Sequence, residues 1–143
     1  IKERPKLQHA RAFHACEVLE DGLVLVSGGY TNMEDPTRSV APDELYNTAT
    51  GASQVLTFAD SLSRYQHRLV RLEKTVFALG GRDGTGKELA SIKQFDTATY
   101  TWLDHSQALL SNSTSGMAVT TLPRSAVDCV EECRSSDALL AAY

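Results

Sequence analysis

Leu23-Val24-Leu25-Val26-Ser27-Gly28-Gly29 is followed, 52 residues later, by Thr75-Val76-Phe77-Ala78-Leu79-Gly80-Gly81. Both stretches are apolar at successive positions, so neither has a polar face to give to water. Such a run suits a strand covered on both sides. The glycine pair that ends each run has no side chains, which permits a close backbone approach or a positive φ at a crowded strand end. Two copies at a fixed distance mark a repeat, and the period selects the architecture.

The match extends in both directions. Upstream stand Arg11-Ala12-Phe13-His14 and Arg64-Tyr65-Gln66-His67, with the histidines 53 apart. Downstream stand Tyr46-Asn47-Thr48-Ala49-Thr50-Gly51 and Phe95-Asp96-Thr97-Ala98-Thr99-Tyr100-Thr101-Trp102, with the leading aromatics 49 apart. A longer loop after Gly29 accounts for the drift. A third start is read at Gly116-Met117, with Leu122 lying 50 residues after Leu72. A period near 50 with four strand-sized stretches per copy predicts an all-β, blade-like unit. The expected strands are residues 12–19, 23–27, 45–47 and 53–57 in the first copy. In the second, residues 92–96 and 100–103 supply the third and fourth strands. Asp21-Gly22 and Glu73-Lys74 fall at hairpin spacing between strands one and two.

These residues resemble the kelch repeat family. The resemblance rests on Gly28, Gly29, Gly80 and Gly81 after apolar strands, on Tyr46 and Phe95 ending strand three, and on Trp102 seven residues after Phe95. Ser53 stands where the first copy should carry its Trp, and the third has no Gly-Gly. The implied fold is a partial kelch-type β-propeller: two four-stranded antiparallel blades plus an incomplete third. Its divisions are residues 1–11 (the end of a preceding blade, or a linker), 12–63, 64–112 and 113–143. The tail is open between a diverged strand and a short helix, since 137–142 holds good helix formers. Kelch rings close with about five to seven blades. The chain is therefore expected to be part of a larger propeller or to associate with further copies.

The family resemblance implies a non-catalytic protein-binding module working through its inter-strand loops. Tyr30, Arg38, Arg82, Asp83 and Lys87 are the expected contacts, Arg and Tyr being favoured at binding hot spots. The alternatives are an enzyme of the galactose-oxidase class, whose two-Tyr, two-His copper motif has no counterpart here, and an actin-binding kelch protein. No cofactor or metal is expected.

The remaining features of the sequence have plainer readings. Net charge is −4 without a basic stripe, which argues against nucleic acid. No apolar run has the length of a membrane span. Compartment is left open, with the cytoplasm slightly preferred. The odd cysteine count of Cys16, Cys129 and Cys133 favours unpaired thiols. Asn112-Ser113-Thr114 is a glycosylation sequon that matters only in a secreted parent. Gly81-Arg82-Asp83-Gly84-Thr85-Gly86-Lys87 has P-loop spacing, but Glu88 stands where Ser or Thr should bind Mg²⁺, so an inter-strand loop is expected. His14 and His67 hold equivalent places, which favours a packing role over metal binding. The acidic pairs Glu34-Asp35 and Asp43-Glu44 read as solvated loop.

Overall fold

A computed structural model of the 143-residue chain describes residues 6–32, 34–35, 40–57 and 62–119, the side chains of 105–109 excepted. Arg38, Cys129, Cys133, Leu122 and the tail with its expected helix lie outside the described residues.

The described chain is all-β. Strands β1 (Ala15–Val18), β2 (Leu23–Ser27), β3 (Glu44–Asn47) and β4 (Ser53–Val55) form one antiparallel four-stranded sheet in sequence order. Next comes β5 (Arg64–Tyr65), then β6 (Arg68–Leu72), β7 (Thr75–Leu79), β8 (Arg82–Asp83), β9 (Ser91–Asp96) and β10 (Thr101–Leu109). Strands β6, β7, β9 and β10 make a second four-stranded sheet, and β5 pairs with β8. Among the described residues there is no α-helix, only a 3₁₀ turn at Glu20–Gly22. No helix among the described residues is long and apolar enough to cross a membrane.

The two sheets share one register. Val24 lies opposite Tyr46, and Tyr46 opposite Ser53. In the second sheet Val76 lies opposite Phe95, and Phe95 opposite Trp102. Each of these second-sheet residues is its first-sheet counterpart displaced by the offset of its strand, 52 residues from Val24 to Val76 and 49 from Tyr46 to Phe95 and from Ser53 to Trp102. The position of Ser53 is the Trp102 position, as the spacing implied.

Stacking is face to back. Leu25 and Leu45 of the first sheet meet Val76 and Phe95 of the second in one cluster, with Leu19 and Leu56 closing it. The opposite face of the second sheet carries Val70, Leu79 and Ile92, which Met117 covers. β7 is therefore buried on both sides, Val76 towards one layer and Leu79 towards the other, as its unbroken apolar run requires. Burying a Leu, Val or Phe side chain contributes about 1.5–3 kcal/mol each.

The expected strand at 12–19 is broken. Phe13 has φ 56°, so Ala12 bridges Tyr30 while β1 starts at Ala15. Gln66, with φ 55°, breaks the second copy between β5 and β6 in the same way. Strand four also differs in length: β4 ends at Val55, whereas β10 runs to Leu109 through a register shift after Asp104.

Candidate functional site

Antiparallel order places the long connections at one end of both sheets. The β2–β3 loop, the β7–β9 loop, the β4–β5 connection and the starts of β1 and β6 gather there. Among the described residues the opposite end carries only short turns such as Glu20–Gly22 and Glu73-Lys74.

The glycine pairs build this end. Gly28 has φ 58°, and a Cβ there would lie 1.9 Å from the Arg64 carbonyl oxygen. At Gly80, φ is 55° and the Cβ would lie 2.6 Å from the Thr114 carbonyl. Glycine is thus required because the following chain segment crosses the strand end at backbone contact. The same segments are hydrogen bonded: Gly29 N donates to Arg64 O at 3.0 Å and Gly81 N to Thr114 O at 2.8 Å. Gln66 N donates to Phe13 O, and Gly116 N to Gln66 O, both at 2.9 Å. Phe13, Gln66 and Gly116 all have positive φ, so residues 114–117 meet the second sheet as 64–67 meet the first.

An arginine ties each loop base. Arg11 donates to Gly28 O at 2.9 Å and Pro42 O at 2.7 Å. Arg64 donates to Gly80 O at 2.9 Å and Ser91 O at 3.2 Å. Burial lowers the Arg64 pKa to about 10, which still leaves it charged at neutral pH.

Asp43 and Glu44, expected in a solvated loop, are fully buried. Asp43 accepts from Gly28 N at 2.7 Å, Leu62 N at 3.1 Å and Trp102 Nε1 at 2.6 Å. Burial raises its pKa despite these donors. Glu44 accepts from Arg11, Ser53 Oγ, Gln8 N and His9 N. Burial alone would push its carboxyl up, but these donors prevail and hold the pKa at about 2. Proximity in sequence could not show this, because Trp102 and Arg11 arrive from distant positions.

The expected contact residues are placed unevenly. Tyr30 is buried, stacked on Phe13 with ring centroids 5.4 Å apart and edge-on to Tyr65 at 5.4 Å. It supports the loop end from inside. Arg82 is half-buried and donates to Ser115 Oγ at 3.2 Å, Gly86 O at 3.0 Å and Glu88 at 2.7 Å, so its guanidinium braces its own loop. Asp83 accepts from Thr85 N, Thr85 Oγ1 and Lys87 N, and these bonds, the Thr85 hydroxyl first, lower its pKa. Lys87 is exposed. The P-loop-like stretch thus has the amides of Thr85, Gly86 and Lys87 turned inward onto Asp83, with none facing a phosphate.

His14 and His67 pack on the glycine pairs as equivalents. A Cβ on Gly29 would lie 2.9 Å from His14 Cβ, and one on Gly81 2.7 Å from His67 Cβ. Both histidines, with Phe13, Gln66, Arg68 and Gly116, line a cavity of about 240 Å³ at this end. Nothing in the sequence beyond the equivalence of the two histidines signalled it. Among the described residues no group of three or more His, Cys, Asp or Glu could hold a metal ion, and Cys16 is exposed and unpaired. No protein-family model matches the chain, and no curated protein matches it significantly.

Proposed function

We propose that the chain is two blades and the start of a third of a kelch-type propeller, and that it binds a protein partner through the loop-bearing end. The observation that supports this best is the repetition of one register in two sheets stacked face to back, with every long connection on one side. That arrangement presents variable loops from a rigid scaffold, the usual basis of a binding surface. Within it, Lys87 projects, Asp83 and Arg82 shape the loop, and Tyr30 anchors it from beneath. The first sheet leaves one face with Val18 56% exposed and Cys16 exposed. The equivalent face of the second sheet is the one the first sheet covers, so a preceding blade or another copy fits the uncovered one.

The test is a charge reversal at each end. Lys87→Glu is expected to lose captured partners, while Lys74→Glu at the short-turn end retains them. Equal capture by both variants, scored by quantitative mass spectrometry of pull-downs from the parent's own cells, contradicts the assignment.

A further inference from the structure

The cavity at the starts of β1 and β6 holds polar groups that its packing does not explain. His67 is 1% exposed, and neither ring nitrogen has a hydrogen-bond partner among the described residues. His14 Nδ1 is also buried without one. Buried polar atoms left unpaired are destabilising, so their retention calls for a reason. Packing is not that reason. Met117 lies 50 residues after His67 and sits against Gly80, its Cε 2.5 Å from where a Cβ would be, just as His67 Cε1 sits against Gly28 at 3.0 Å. An apolar side chain therefore does the same packing at the equivalent place.

The surroundings select the ligand's charge. Burial, then the positive fields of Arg64, His14 and Arg68, lower the His67 pKa to about 3, so its ring is neutral and offers one N–H. Arg68 is exposed at the rim; its Nε donates to Met117 O, and its terminal nitrogens make no hydrogen bond among the described residues. Among the described residues no Asp or Glu lines the cavity, and the Phe13 ring, 51% exposed, forms an apolar wall. A positive, donor-bearing cavity without an acidic partner suits an anion with planar oxygens.

We propose that this cavity is a carboxylate-binding site, in which ring N–H groups of His14 and His67 and the terminal nitrogens of Arg68 donate to the carboxylate while Phe13 covers the attached carbon chain. The site does not depend on the propeller reading, since a free acid or the side chain of a protein partner would occupy it equally.

The test follows the imidazole nitrogens of the ¹⁵N-histidine-labelled 143-residue chain by NMR. Sodium acetate is titrated against acetamide and against sodium chloride at matched ionic strength. Acetate is expected to shift the His14 and His67 ring signals saturably, with acetamide and chloride leaving them in place. Arg68→Ala is expected to weaken acetate binding at least fivefold. His67→Met keeps the packing, as Met117 does, and is expected to abolish the His14 response. Succinate and an N-acetyl-glutamate amide then distinguish the sources: tighter binding of the first points to a free diacid, of the second to a partner's side chain, and either supports the site. A response absent or unsaturable would indicate a hydrated cavity only and overturn the proposal, as would an unaltered response in His67→Met.

Discussion

The two sheets follow one backbone plan and stabilise it by different means. In the first, Asp43, Glu44 and Ser53 occupy the places that Ile92, Lys93 and Trp102 occupy in the second, each pair 49 residues apart. Ile92 is buried with apolar neighbours. Asp43 is buried among donors, one of them Trp102 of the other sheet. Lys93 pairs with Asp104 at 2.8 Å near the surface, whereas Glu44 is enclosed and held by Arg11. What the sheets share is backbone geometry: the glycine pairs, the positive-φ breaks and the arginines on loop carbonyls. Side-chain chemistry is free to differ wherever the layer beside it can satisfy it.

The sharpest way to break this comparison is to truncate the paired aromatics. Phe95 is 1% exposed and touches Trp102 with ring centroids 4.9 Å apart. Phe95→Ala is expected to cost about 4 kcal/mol in urea unfolding. Tyr46→Ala, at the half-buried equivalent place, should cost less than half of that. Equal losses would mean that the first sheet's outer face is covered as fully as the second's.

Gly28→Ala comes next. A Cβ 1.9 Å from Arg64 O at φ 58° combines overpacking with left-handed strain, so about 3 kcal/mol is expected. Gly116 has φ 66° but open space around it, so Gly116→Ala should cost only about 1–2 kcal/mol. A cost at Gly28 no larger than at Gly116 would remove the close crossing from the account.

The buried link between the sheets sets a smaller effect. A double-mutant cycle of Trp102→Phe with Asp43→Ala, which removes the donor and the acceptor in turn, should give a coupling of about 1.5 kcal/mol, the upper part of the range for an intramolecular hydrogen bond. Additive losses would show the indole–carboxylate contact to be absent in solution.

His67 supplies a pH test. Its folded pKa, about 3, lies below the ordinary 6.5, so the unfolded chain binds the extra proton between these values. The stability from the buried neutral ring is present above pH 6.5 and is lost as pH falls towards 3, at a slope of up to about 1.4 kcal/mol per pH unit. In His67→Met that slope should flatten relative to the parent chain. Glu44, held at about 2, adds its own loss only below its ordinary 4.5, and His14, lowered by burial, and Asp43, raised by it, contribute equally to both chains, so the difference between the parent and His67→Met reports the histidine.

Much of the fold was legible because its signals are local. Apolar runs of strand length, glycine pairs and two-residue turns placed β2, β7 and the Glu73-Lys74 hairpin within a residue or so. The spacing from Tyr46 to Ser53 and from Phe95 to Trp102 carried the register of the last two strands. The breaks at Phe13 and Gln66 were illegible, because neither residue advertises a positive φ; only Gly116, at the third such place, does. Burial of Asp43 and Glu44 was hidden for another reason. Adjacent acidic residues in a polar stretch read as solvated, and the groups that enclose them are far away in sequence. For the candidate site, the equivalence of His14 and His67 was visible, but the cavity between them depends on how two strand starts abut.

The central claim is that two sheets of identical register stack face to back, and a NOESY spectrum of the isotope-labelled chain tests it most directly. Cross-strand contacts between Val24 and Tyr46 and between Val76 and Phe95, together with an indole contact from Trp102 to Asp43, are the predicted result. A second-sheet register slipped by one residue, or strands seen in both sheets with no contact joining them, would contradict it.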